Sequence, residues 1–104
     1  MKVIFVDIDE TICVTPDNPR DYHKSAPIMD NINKMNKLYD RGHKIIYWTA
    51  RGSRTGTDWT EFTKAQLLSW GVKSHEVWCN KPYYDIFIDD KTFRIEDFNE
   101  NNIP

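Results

Sequence analysis

The feature that most constrains this chain is a short apolar run at its start that ends abruptly in acidic residues. Residues 3–6 are all β-branched or aromatic, and an uninterrupted run of this kind is typical of a strand buried on both faces. Asp7 and Asp9 follow at once, with Thr11 two residues later. These residues suit an ordinary turn. However, side chains two apart in an extended chain point the same way, and neighbouring carboxylates repel unless a cation or a shared proton relieves them. The strand end therefore predicts a chemical site.

The rest of the chain alternates apolar strands with amphipathic helices. Strands are predicted at 2–6, 44–48, 76–79 and 84–88, and helices from Pro27 to Gly42 and from Asp58 to Gly71. Pro27 suits a first helical turn, and Asp58 with Glu61 resembles a capping pair. A flap is expected at about 12–26, and a fraying polar tail at 99–102. Alternating strands and helices predict a single domain over 1–104, an α/β, three-layer α/β/α, Rossmann-like parallel sheet.

Composition and charge argue against several kinds of partner. The 14 basic and 16 acidic residues give a net charge of −2, which argues against a nucleic-acid partner gripped by basic surface. The N-terminal apolar run is too short for a signal peptide or a membrane span, so no membrane partner is expected. Cys13 and Cys79 are expected to stay reduced, as in a cytoplasmic protein.

Polar side chains follow every predicted strand. They are Asp7 and Asp9 after the first strand, Thr49 after the second, Lys81 after the third, and Asp89 and Asp90 after the fourth. Because ligands bind at the carboxyl ends of parallel strands, we expect these groups to meet. Converging carboxylates favour Mg²⁺, while Lys and Thr donate to phosphate oxygens. A carboxylate can attack phosphorus as a nucleophile, and a second can transfer protons. The set predicts phosphoryl transfer.

Four segments resemble the motifs of the haloacid-dehalogenase (HAD) superfamily of phosphohydrolases: DIDET at the first strand end, TAR after the second, KP at 81–82 and IDD at 88–90. The resemblance implies that Asp7 is the nucleophile and Asp9 the general acid/base. It also implies a phosphoryl-binding role for Thr49 and charge compensation by Lys81. The substrate-binding residues would be Thr49, Ala50, Arg51 and Lys81.

The resemblance also implies a metal site and a subclass. Mg²⁺ would be held by the Asp7 carboxylate, the Asp9 carbonyl and Asp89, with Asp90 as a second or water-mediated ligand. No cap domain is expected, because only loops follow the first two motifs. The chain is similar in length to small phosphatases of capsular and surface polysaccharide synthesis, which implies a small phosphorylated substrate, a sugar phosphate. Further candidates for recognition are Arg20, His23 and Arg54, and a homo-oligomer is one way to cover the open site.

Three alternatives remain open. A signalling receiver domain also gathers Asp, Thr and Lys around Mg²⁺, but its phosphorylated Asp follows the third strand, where this chain has Lys81. A metal-binding regulatory protein would keep the same groups without turnover. A phosphatase acting on nucleic-acid ends or phosphoproteins would also suit an open site.

Overall fold

The computed structural model describes residues 1–103, which form a small α/β fold with a parallel three-stranded sheet and two helices. The sheet strands are β1 (Val3–Val6), β4 (Lys44–Trp48) and β5 (Glu76–Trp78), in the order β1-β4-β5. A small antiparallel pair, β2 (Cys13–Val14) and β3 (Ala26–Pro27), forms the predicted flap. The helices are α1 (Met29–Asp40) and α2 (Thr60–Ser69). No helix among residues 1–103 is long and apolar enough to cross a lipid bilayer.

Both helices pack on one face of the sheet. Val6 pairs with Tyr47, which pairs with Val77, and this row of side chains meets Leu38 of α1 and Leu67 of α2 in a single hydrophobic core. Each crossover steps the same way across the sheet, from β1 to β4 and then to β5, and connections of one hand place successive helices on the same side. The sheet therefore has a helix-covered face.

The predicted third layer is absent from the described residues, so that part of the fold prediction was wrong. The opposite face carries Phe5, Trp48 and Trp78, which we call the aromatic face. The Phe5 ring lies edge-on to both tryptophans, with centroids 5.6 and 5.2 Å away. Phe5 is 46% exposed and Trp78 36% exposed. A helix could cover this face only if one crossover stepped across the sheet in the opposite direction to the two that join β1, β4 and β5.

The predicted fourth strand at 84–88 does not form. Residues 82–93 make no backbone-to-backbone hydrogen bond within the described chain, and Ile86 and Ile88 are 78% and 92% exposed. The physical reason is the connection: only residues 79–83 separate β5 from this segment, whereas parallel strands need a crossover of about a dozen residues or more. The outer edge of β1 consequently stays unpaired in the part of the chain that the structure describes.

Local chemistry shifts two other boundaries. Pro27 pairs with Cys13 in β3 rather than opening α1, since its missing N–H costs nothing at the end of a short ladder. The Asp58 carboxylate does accept from the Thr60 N–H at 2.9 Å, but Trp59 is the cap residue of α2.

The tail beyond residue 98 does not fray as predicted. Arg41 at the end of α1 donates to the Glu100 carbonyl and to the Asn101 side chain. Lys34 donates to the Phe98 carbonyl at 3.0 Å. These contacts hold the tail against α1, next to a 3₁₀ turn at Ile95–Asp97.

Candidate active site

The carboxyl end of the sheet brings Asp7 and Lys81 together. The Lys81 N–H donates to the Thr49 carbonyl at 3.1 Å, and the Thr49 N–H donates to the Trp78 carbonyl at 2.9 Å. These bonds continue the β4–β5 pairing beyond the strands and fix the Lys81 backbone at the sheet end. Its ammonium lies 3.6 Å from Asp7 Oδ1, near the Trp48 and Tyr84 rings.

Asp7 is a partly exposed carboxylate beside a cation. Its side chain retains 40% of its exposure, so a ligand can reach it from solvent. Thr11 Oγ1 donates to Asp7 Oδ2 at 3.5 Å. Partial burial raises the pKa of Asp7, because lost hydration disfavours the charged form, and Lys81 opposes this rise without cancelling it. The arrangement can present an oxygen nucleophile to an incoming electrophile.

Asp9 is held in a bidentate pair by Arg51. Arg51 Nε donates to Asp9 Oδ2 at 3.0 Å, and Nη2 donates to Oδ1 at 2.9 Å. Thr15 Oγ1 donates to the same Oδ1. Burial alone would raise the pKa of Asp9, but the hydrogen bonds and charge of Arg51 outweigh it, so the pKa lies below its usual value. Asp9 is therefore an ionised carboxylate.

Arg51 is the most unexpected member of this site. Its side chain is fully buried, and its remaining amino group donates to Gln66 Oε1 at 2.7 Å and Thr63 Oγ1 at 3.3 Å. With these partners its guanidinium positions Asp9, and direct contact with a substrate stays a prediction. The signal for this network was present in the sequence: Thr63 and Gln66 lie three residues apart on α2 and face the same way.

The flap closes over Arg51 from outside. Tyr22 places its ring 4.6 Å from the guanidinium carbon and packs edge-on to Trp59 at 4.9 Å. Gln66 Nε2 donates to the Tyr22 carbonyl at 2.7 Å. Water is thereby excluded from one side of the pair between Arg51 and Asp9.

The remaining candidates for recognition lie around this centre. Arg20 forms an ion pair with Glu10 at 2.7 Å and approaches Asp9 at 3.9 Å. His23 packs on aromatic rings of α2 and its preceding loop. Arg54 stacks over the Tyr83 ring at 4.6 Å. These three side chains lie near the surface, and contact between any of them and a ligand remains a prediction.

Thr49 and Ala50 sit directly at the end of β4. Thr49 is buried, and its Oγ1 accepts from the Arg51 N–H at 3.2 Å. Ala50 is half-buried. The pairing of Val6 with Tyr47 places Thr49 one residue beyond the level of Asp7 on the neighbouring strand, and its hydroxyl can still donate a proton.

Asp89 and Asp90 are not brought to the site by their own chain. Both are exposed, and Asp89 accepts from the Lys91 N–H at 3.1 Å. Across residues 1–103 no three His, Cys, Asp or Glu side chains are grouped so as to hold a metal ion. The Asp7 carboxylate and the Asp9 main-chain carbonyl suit a hard cation, and Mg²⁺ needs only one or two carboxylates besides water. The residues present therefore fit Mg²⁺ in part, with one acidic ligand missing.

Comparison with known proteins supports the fold. No protein-family model matches this chain, and no curated protein is significantly similar to it. A crystal structure of a target protein from Vibrio cholerae matches it with a TM-score of 0.82 and 25% sequence identity, covering 100% of this chain and 90% of that one. The α/β architecture described above is thus also found in an experimental structure.

Proposed function

We propose that this protein is a Mg²⁺-dependent phosphohydrolase of the HAD type that cleaves a phosphate monoester through an aspartyl-phosphate. The observation that carries the proposal is the partly exposed Asp7 carboxylate at the end of β1 with the Lys81 ammonium 3.6 Å away. A nucleophile that attacks a phosphate dianion needs a nearby cation to offset the charge that builds up. The four motif resemblances in chain order support the same assignment.

The first step uses Asp7 and Lys81. An Asp7 carboxylate oxygen attacks phosphorus, the bond from phosphorus to the ester oxygen breaks, and the leaving alkoxide takes a proton from solvent water or from the protonated fraction of Asp9. Lys81 stays close to both the carboxylate and the phosphoryl group and offsets their charge. Thr49 donates its hydroxyl to a phosphoryl oxygen. Bound Mg²⁺ would supply further compensation of the phosphate charge.

The second step depends on Asp9. Water attacks the phosphorus of the aspartyl-phosphate, the bond to the Asp7 oxygen breaks, and Asp9 takes the proton from the attacking water. Asp9 is ionised and can accept this proton, and its lowered pKa makes it a weak base in this role. It is a weaker fit for donating a proton in the first step, because Arg51 occupies both carboxylate oxygens.

The pairing of Asp9 with Arg51 favours a second candidate function. A phosphoacceptor or regulatory protein would form the aspartyl-phosphate and release phosphate slowly, as an Asp9 held by Arg51 would do if it cannot cycle its proton. The lifetime of the phospho-enzyme separates the two candidates. For the phosphohydrolase, the resemblance to small phosphatases of polysaccharide synthesis implies a sugar phosphate, and an open site would be covered by a large substrate or by a neighbouring subunit.

The test is phosphate release from sugar phosphates, nucleotides, phosphopeptides and an aryl phosphate, with Mg²⁺ or a chelator. We expect Mg²⁺-dependent release that Asp7→Asn lowers by at least about a thousandfold, the scale typical of a lost nucleophile. Asp17→Asn, an exposed carboxylate in the flap, is the matched control and should stay active.

Asp7→Asn also has a stability readout. Because burial raises the pKa of Asp7, the charge of this residue costs stability at neutral pH. The variant should therefore melt no lower than the wild type. Full activity in Asp7→Asn would exclude the covalent mechanism, and a lower melting temperature would show that Asp7 is a structural residue.

A further inference from the structure

We propose that two copies of this chain exchange residues 84–91, here called the arm, so that the arm of each copy pairs with the outer edge of β1 of the other and places its Asp89 beside the partner's Asp7. The exchange itself is independent of any activity. Its meaning for catalysis rests on the proposed function, because Asp89 then supplies the acidic ligand that each site lacks.

The connection is too short for the arm to pair with β1 of its own chain. For Asp89 to lie at the site, the arm must run parallel to β1 and begin at the opposite end of the sheet. From Lys81, which continues the line of β5, that starting point lies about 17 Å down the sheet and about 14 Å across it, three strand spacings away. The Lys81 backbone is held at the sheet end by Thr49, and the three steps from Lys81 to Tyr84 span at most about 11 Å. A second copy meets no such limit.

The β1 edge and the arm match in length and in side-chain pattern. When Asp89 lies beside Asp7, parallel pairing sets Ile88 beside Val6, Phe87 beside Phe5 and Ile86 beside Ile4. The two isoleucines then enter the helix-covered face, where Val6 and Ile4 already pack. Phe87 adds to the aromatic face. A shift by one residue would send the isoleucines to the wrong face.

Exposure shows what the exchange would bury. In the single chain, Ile86 and Ile88 are 78% and 92% exposed and Phe87 is 43% exposed, while Phe5 and Val3 on the β1 side are 46% and 57% exposed. An open strand edge and an apolar strand without a partner are each a liability on their own. Pairing them removes both, and a two-fold axis makes the two exchanges equivalent.

Charge permits the same placement. Lys81, Arg20 and Arg51 lie at the β1 end, paired with Asp7, Glu10 and Asp9, and a bound divalent cation would offset the additional carboxylate of Asp89. The other open edge, at β5, is a poorer match for the arm. It is only three residues long and carries Glu76, which pairs with Lys44. It would also leave Asp89 far from Asp7.

A cross-link tests the exchange without any assay of activity. Phe5→Cys and Phe87→Cys are combined in a Cys79→Ser background; Cys13 can remain, because burial raises the pKa of its thiol to about 11 and makes it unreactive. Oxidation should give a covalent species of about twice the 12.4 kDa of one chain. Leu68→Cys, on the exposed side of α2, replaces Phe5→Cys in the control and should not cross-link.

Analytical ultracentrifugation of the unmodified protein measures its oligomeric state without any cysteine variant. We expect a dimer or a larger even-numbered assembly. A monomer at all concentrations, or a cross-link formed only within one chain, would overturn the proposal. A dimer with equal cross-linking at Leu68→Cys would show that the copies meet elsewhere, and would overturn it as well.

Mixing two inactive variants then tests whether the site is shared. One variant carries Asp7→Asn and the other carries Asp89→Asn with Asp90→Asn. After subunit exchange, half of the dimers are mixed and each has one intact site, so activity should return to about a quarter of the wild-type value. Sites built within one chain would recover nothing.

The two tests separate the two proposals. A cross-linked dimer whose wild type releases no phosphate refutes the proposed function and leaves the exchange standing. An active wild type that is monomeric refutes the exchange and leaves the function standing. An active, cross-linked dimer that shows no recovery on mixing refutes the shared site and leaves the exchange standing.

Discussion

Replacing Arg51 by methionine is the sharpest test of how the site is held together. Arg51 has no exposed side-chain area and Asp9 only 11%, so the variant leaves a buried carboxylate without its partner. Removing one member of a buried pair costs about 3–5 kcal/mol, against a total stability of about 5–15 kcal/mol for a domain of this size. At about 3 kcal/mol the melting temperature should fall by roughly 12–24 °C.

The assay is urea unfolding followed by fluorescence of the 4 tryptophans. Arg54→Met is the matched control: Arg54 lies outside the network and stacks on Tyr83, and its replacement should cost no more than about 0.5 kcal/mol. A free energy of unfolding for Arg51→Met within about 1 kcal/mol of the wild type would refute the reasoning, because the pair would then contribute little.

The pH dependence of unfolding independently tests whether the pair between Asp9 and Arg51 stabilises the fold. In the wild type the pKa of Asp9 lies below its ordinary 3.8, so the pair stabilises fully above that value and is lost as the pH falls through the lowered pKa. In Arg51→Met, burial without the guanidinium should raise the pKa of Asp9. Its charge then costs stability at neutral pH, and the cost disappears as Asp9 is protonated. The difference between the two proteins should therefore shrink as the pH falls from about 7 towards about 4. A constant difference would contradict this account.

Two glycine substitutions and one core substitution give further predictions. Gly52 has φ +84° and an added Cβ would lie 2.0 Å from the Thr57 carbonyl oxygen, whereas Gly56 at φ +78° faces open space. Gly52→Ala should therefore cost about 2 kcal/mol or more in urea unfolding and Gly56→Ala only about 1 kcal/mol; equal losses would contradict the steric argument. The Tyr47 hydroxyl is buried without a hydrogen-bond partner among the described residues, so Tyr47→Phe should raise the free energy of unfolding by roughly 1 kcal/mol. A loss of stability would show that the hydroxyl is satisfied in solution.

The elements that could be predicted are those whose signal is local. The apolar runs that became β1, β4 and β5 are continuous in sequence, and the helical period of α1 and α2 appears within a dozen residues. The convergence of Asp7, Asp9, Thr49 and Lys81 also follows, because parallel strands carry whatever succeeds them to one edge.

The prediction failed where the structure depends on the length of a loop or on the order of the strands in the sheet. The segment 84–88 has the composition of a strand, and composition does not show that the loop before it is too short to reach a free edge. The helices were expected on both faces, but strand order decides their side, and strand order is not written in the hydrophobic pattern.

The sequence by itself determined which residues are apolar, where the three sheet strands and the two helices lie to within a few residues, and which acidic and basic groups follow the strands, because these properties depend on neighbours along the chain. Only the tertiary structure decided that Arg51 is buried against Asp9, that one face of the sheet stays uncovered, and that Asp89 does not reach Asp7 within one chain. These features depend on distances between residues far apart in sequence, which the order of strands and the lengths of the loops set together.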